Sequence, residues 1–241
     1  MLHSIVFHTL GQLATGILLF IAFVPPSRIG RGFGRFHTAL ALAIWILALW
    51  GKFSVEFYIL LFFLLCAFLF AGKDPYYYPF LTLSLICSVY LLLKPEIQRS
   101  GLTSSLLLDV PPLLVLGASS VSMLLGHWYL VAPKLSISYL KALTIGLIAA
   151  LLIRTGLLIQ VLVDAGGRLS EMHFYEMYGI FFLQRVAFGL ILTLVLSVLT
   201  YFCVRIRSTQ SATGILYVVV VFCLVGELIG AYLFAKTGMW F

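Results

Sequence analysis

Long apolar runs, each closed by a short polar or Pro/Gly-rich stretch, recur along the whole chain. A helix that crosses a bilayer needs about 20 apolar residues. By that measure the pattern predicts helices near 4–24, 36–51, 53–72, 77–94, 105–130, 137–163, 174–204 and 212–237. The interruptions have physical causes. "VPPSRIGRGFGR" carries two prolines, three glycines and three arginines; "AGKDPYY", "LKPEIQRSG", "VAPKLS", "VDAGGRLSE" and "RIRSTQS" are the other polar loops. The division at "WGKFSVEF", around Lys52, rests on length. As one helix, residues 36–72 would extend about 55 Å, far beyond a hydrocarbon core of about 30 Å.

The expected fold is therefore all-α: a polytopic transmembrane bundle of about eight spans, with residues 1–241 forming one integral membrane domain. Composition agrees, at 63% hydrophobic and 10% charged, where a soluble domain carries about 25% charged residues. The first run begins "MLHSIVFH", without a basic leader, and ends "VPPSR", without a small-residue cleavage site. It reads as a spanning helix rather than a cleaved signal. Cys66, Cys87, Cys203 and Cys223 stand singly in apolar runs and form no CxxC or CxxCH pattern. Covalent haem attachment and cysteine-ligated clusters gain no support from them.

The net charge of +7 matters through its distribution. With eight spans, one side carries Arg28, Arg31, Arg35, Lys73, Lys134, Lys141, Arg205 and Arg207. The other carries Lys52, Lys94, Arg99, Arg168 and Lys236 among the acids Glu56, Glu96, Asp164 and Glu171. The positive-inside rule puts the first set in the cytoplasm and both termini outside, on the periplasmic face of a bacterial inner membrane. No basic face rich in aromatic residues lies outside the membrane, which excludes nucleic acid as the partner.

Three charges break the apolar pattern. Arg154 ("LLIRTGLLIQ") lies about nine residues from the outer end of the sixth predicted helix, hence about 14 Å deep. Arg185 and Glu227 lie about ten residues from the outer ends of the seventh and eighth, at a closely similar depth. Each is costly facing lipid and tolerable facing the others, which predicts one buried cluster. Asp109, Gln160, His173, Glu176 and Gln184 rise from that level toward the outer surface as a polar funnel. Pro111 and Pro112, just after Asp109, are expected to disturb their helix and free backbone groups. The cluster reads either as structural glue or as a site for a ligand with a polar head and an apolar body. In the second reading Glu227 is the proton-exchanging group and the arginines set its charge. Gly226 and Gly230 in "GELIG" stand at GxxxG spacing, which permits close helix packing. No residue-level repeat supports an inverted-repeat transporter.

His37 and His127 lie at similar depth near the cytoplasmic ends of their helices. A bis-histidine b-type haem needs two such imidazoles. Paired histidines on shared helices, as in cytochrome b patterns, are absent, and the preferred reading is interfacial residues beside Trp128 and Tyr129 of an aromatic belt. Tyr76, Tyr77 and Tyr78 read the same way.

Eight spans, outward termini, a midplane polar cluster and a carboxylate followed closely by glycine in "GELIG" resemble the haem-free, quinol-reactive membrane anchors of respiratory molybdoenzymes, the DMSO-reductase-type and NrfD-type subunits. The resemblance is architectural and spans the whole chain. It implies an inner-membrane subunit of a respiratory electron-transfer complex. Such a subunit binds quinone or quinol in the outer half of the bilayer and exchanges electrons with a partner subunit that carries the metal cofactors. The residues leave open three other expectations: a permease for a small anionic solute, a b-type cytochrome subunit, and a non-catalytic assembly protein.

Overall fold

The computed structural model describes residues 2–49, 54–132, 135–165, 174–239 and 241, without the side chains of residues 99, 100, 104 and 175. These residues are almost entirely helical, and no strand occurs among them. The helices are α1 (Leu2–Ile21), the short α2 (Pro26–Ile29), α3 (Arg31–Leu49), α4 (Val55–Phe70) and α5 (Asp74–Ser100). They continue with α6 (Leu102–Val131), α7 (Ser138–Ala165), α8 (Phe174–Val186), a π-helical turn (Ala187–Leu192), α9 (Thr193–Arg205) and α10 (Thr209–Thr237). Among the described residues, seven helices are long and apolar enough to cross a membrane, α8, the π turn and α9 counting as one; α4 is a shorter apolar helix of 16 residues. Large apolar side chains such as Phe62, Ile86, Ile180 and Leu183 face outward. Together these features make the chain a multi-pass membrane protein.

Local chemistry explains the boundaries. Pro26 and Pro75 stand in the first turns of α2 and α5, where no backbone N–H is needed. Gly101 (φ +87°) closes α5 in a conformation that an L side chain resists. The loop expected at "LKPEIQRSG" is helix up to Ser100, because Pro95 removes one N–H without turning the chain. Pro111 and Pro112 are likewise absorbed inside α6. Lys52 and the turn expected around it lie outside the described residues. Tyr77, expected in an aromatic belt, is instead fully buried, while Tyr76 is exposed.

Successive helices reverse direction. Arg35 Nε of α3 donates to the Phe68 carbonyl of α4 at 3.3 Å, joining the start of one to the end of the other. Across α4 and α5, Lys94 Nζ meets Glu56 at 2.5 Å and Phe70 stacks on Phe80. α5 runs antiparallel to α1, since Gly11 faces Leu92 and Thr15 bonds Ser88 at 2.7 Å. α1 and α6 are parallel, because His8 meets Asp109 and, eight residues on in both helices, Gly16 meets Gly117. A Cβ on either of those glycines would land on the other's main chain, so this is a backbone-to-backbone contact. The large core packs around α1, α3 and α6, and a smaller one joins α7, α8 and α10 near their outer-predicted ends.

Candidate functional site

The three charges meet. Arg185, Arg154 and Glu227 are only 0%, 5% and 3% exposed, so none faces lipid. Glu227 stands between the arginines: Arg185 Nη2 donates to Oε1 at 2.9 Å, and Arg154 Nε and Nη2 approach the carboxylate at 3.3–3.4 Å. Arg154 Nη2 also donates to the Phe241 main-chain oxygen at 2.7 Å. The ring of Phe241 is buried, stacked on Phe174 and edge-on to Phe182. The three side chains by themselves, two guanidinium groups and one carboxylate, sum to a charge of +1. Nε and Nη1 of Arg185 are buried with no hydrogen-bond partner.

Glycine makes this geometry possible. A Cβ on Gly226 would stand 2.7 Å from Gly189 Cα and 3.0 Å from Arg185 Nη1. One on Gly230 would stand 3.0 Å from the Phe241 oxygen and 3.2 Å from Arg185 Nε. The GxxxG spacing therefore serves two purposes: Gly226 lets α10 touch the π turn, and Gly230 clears the arginines. The π turn carries Gly189, and Thr193 Oγ1 donates to the Phe188 carbonyl at 2.6 Å, five residues back.

A second polar cluster adjoins the first. Asp109 is fully buried. Its Oδ1 meets His8 Nδ1 at 2.9 Å and accepts from Gln12 Nε2 at 2.9 Å, while Oδ2 is buried without a partner. Pro112 has no N–H for the Leu108 carbonyl, and Gln12 Nε2 lies 3.4 Å from that oxygen. The proline pair thus frees a backbone acceptor, as the sequence predicts, and a side chain of α1 takes it. Between the clusters lies a cavity of about 20 Å³, lined by Gln12 of α1, Leu107, Leu108 and Pro112 of α6, Arg154 of α7, and Glu227 with Ala231 and Phe234 of α10. Its lining combines polar and apolar groups, and it has room for about one water molecule.

The funnel expected above the triad is only partly assembled. Asp109 belongs to it. Gln160 and Glu176 are exposed. Gln184 is exposed as well, and borders a separate groove of about 250 Å³ with Phe188, Gly189, Val221, Phe222, Val225 and Gly226. His173 lies outside the described residues. Gln12 and Phe241 join the site without being singled out by the charge pattern. For Gln12 a signal exists: His8 and Gln12 stand at i, i+4 on α1 and share one face.

The two histidines considered for haem have different surroundings. His37 is fully buried, its Nδ1 2.8 Å from the Phe33 carbonyl and its Nε2 without a partner. His127 is exposed and hydrogen-bonds Tyr217 of α10 at 3.0 Å. Among the described residues no three His, Cys, Asp or Glu side chains group as metal ligands.

No protein family, curated protein or solved structure matches the chain.

Proposed function

We propose that the chain is the quinone-binding membrane subunit of a respiratory electron-transfer complex in a bacterial inner membrane, with eight spans and both termini outside. The alternating helix directions support eight spans, because α1 and α6 run parallel with α3, α4 and α5 alternating between them, which takes four reversals. The observation that carries the functional reading is the cavity between the two clusters. Its lining offers Arg154 as a donor and the Gln12 amide beside it, together with apolar Leu107, Leu108, Pro112, Ala231 and Phe234. A ligand with carbonyl groups on a flat ring and an isoprenoid tail has that polarity.

In its present form the cavity is far smaller than the roughly 300 Å³ at which ligand pockets begin. The Phe241 main-chain oxygen occupies the Arg154 donor that a quinone carbonyl requires. Binding therefore displaces Phe241, and the head group takes over that hydrogen bond. Electrons exchanged with the bound quinone pass to or from a partner subunit that holds the metal cofactors.

The test uses a photoreactive ubiquinone analogue on the full chain in lipid vesicles. Labelling is expected on the segments containing Leu107–Leu108 and Ala231–Phe234. Arg154→Gln should weaken it about tenfold or more, as loss of a charge-assisted hydrogen bond of about 1.5–3 kcal/mol requires. Diffuse labelling that ignores Arg154 would overturn the reading. The net +1 charge of the triad favours a second reading, a permease for a small anion. It predicts uptake of a radiolabelled anion such as acetate, abolished by the same substitution, with no site-specific quinone labelling.

A further inference from the structure

The charge cluster that binds and the group that exchanges protons need not be the same. We infer that the proton-exchanging station of the site is the Asp109–His8 pair, held against the cavity by Gln12, and that Glu227 is the fixed counter-ion of the arginines. The inference rests on the cavity being the head-group site, and it reassigns the proton chemistry within that site.

Hydrogen bonding and charge both separate the two carboxylates. Oε1 and Oε2 of Glu227 face guanidinium donors on two sides. A proton on Glu227 would leave two positive charges facing a neutral group in a dry interior, the arrangement that buried ion pairs exist to avoid. Asp109 has no guanidinium partner among its hydrogen bonds. It has one imidazole, one amide and a bare Oδ2, all shielded from lipid. One proton is shared across the 2.9 Å between Oδ1 and His8 Nδ1, so a bare Nδ1 is placed to take it from Oδ1 and a protonated one to return it, while Oδ2 is an unoccupied second position for a proton.

The position suits the task. Gln12 lines the cavity and is one hydrogen bond from Asp109, and Leu108, the residue before Asp109, lines it too. His8 lies one turn closer than Gln12 to the start of α1, so the pair leads from the cavity toward the outer-predicted end. The buried ionisable groups on the neighbouring helices include Arg154 of α7, Arg185 of α8, Glu227 and Cys223 of α10, and His37 of α3. α5 adds Glu96, buried one turn beyond the Leu92 that faces Gly11.

When a quinol is oxidised, a head-group O–H bond breaks and its proton passes, through the water the cavity admits, to the Asp109 carboxylate. The Asp109 O–H then breaks as His8 Nδ1 takes that proton; the imidazolium turns toward the outer surface, releases the Nδ1 proton there and returns as the same Nε2–H tautomer. Two such cycles remove both quinol protons, and the two electrons leave to the partner's metal cofactors. Quinone reduction runs the same steps backward.

Infrared spectroscopy of the full chain in lipid vesicles tests this without a partner subunit or any turnover. A protonated-carboxyl band that titrates with pH and shifts in D₂O is expected, and Asp109→Asn should remove it. In His8→Gln the band should remain but respond to a pH jump about a hundredfold more slowly, the lower end of what a positioned proton-transfer group contributes. If Asp109→Asn fails to fold, the His8→Gln response decides. A band that survives Asp109→Asn, a wild-type response in His8→Gln, or no titrating band at all would each overturn the assignment. Labelling by the photoreactive ubiquinone analogue is measured separately. An Asp109 band without specific labelling removes the quinone and keeps the proton station, whereas specific labelling without the band does the reverse.

Discussion

At the scale of single residues the molecule is governed by the cost of charge in hydrocarbon. That cost makes Arg154, Arg185 and Glu227 legible in the sequence alone, because three charges at one depth are tolerable only together. Depth follows from counting residues; direction around a helix does not. Gln160 follows Arg154 by six positions, a rotation of about 240° at 3.6 residues per turn, which carries it to another face. Gln184 is adjacent to Arg185 and so about 100° away. Both are exposed, while the arginines are buried. Gln12 is harder to read because an uncharged amide carries no comparable cost, and Phe241 because nothing in a sequence announces that a main-chain oxygen will complete an arginine. The triad yields a stability prediction. Glu227→Gln strands two guanidinium groups and should lower stability by about 3–5 kcal/mol. Adding Arg185→Met removes one stranded charge and should recover part of the loss. Reversible unfolding in SDS within mixed micelles measures both, and a neutral Glu227→Gln would mean that the ion pairs are not dry.

At the scale of elements, glycine decides which helices touch. "GELIG" reads in sequence as a packing motif, and so it is at Gly226, which meets Gly189 of the π turn. Its second role, clearing space at Gly230 for the arginines, depends on a partner helix and is not visible from spacing alone. The π turn itself carries no sequence signature beyond an apolar run with one glycine. Substituting Ala for Gly separates packing from propensity. At Gly214 a Cβ meets nothing within 4 Å, so Gly214→Ala should be tolerated or stabilise the helix by up to about 1 kcal/mol. At Gly226 the same change meets backbone at 2.7 Å and should destabilise despite the same propensity gain. Thermal unfolding of the two variants in one detergent compares them directly, and equal effects would show that α10 does not rest on the π turn.

At the scale of the whole molecule, the apolar rhythm of the sequence locates every long helix among the described residues, with the end of α5 displaced where Pro95 is absorbed rather than ending it. α4 is the element least marked in the sequence, since its separation from α3 rests on length alone. Contacts bear on it from both sides. Arg35 reaches Phe68, and Glu56 and Phe70 reach Lys94 and Phe80, so α4 runs opposite to both neighbours. Its 16 residues rise about 24 Å, short of a core of about 30 Å but within what local thinning of the bilayer accommodates. If α4 crosses, its two ends face opposite sides of the membrane; if it lies within one leaflet, both face the same side. Ser54, before its first residue, and Lys73, after its last, are suitable reporters. In a background with Cys66, Cys87, Cys203 and Cys223 replaced by Ala, Ser54→Cys should react with a membrane-impermeant maleimide applied to intact spheroplasts. Lys73→Cys, beside the arginine-rich loop, should react only after the membrane is opened. Reaction of both from the outside would make α4 a non-crossing helix and place the two termini on opposite faces. The reverse labelling pattern would keep eight spans and invert them, putting the His8 end of the proton route in the cytoplasm.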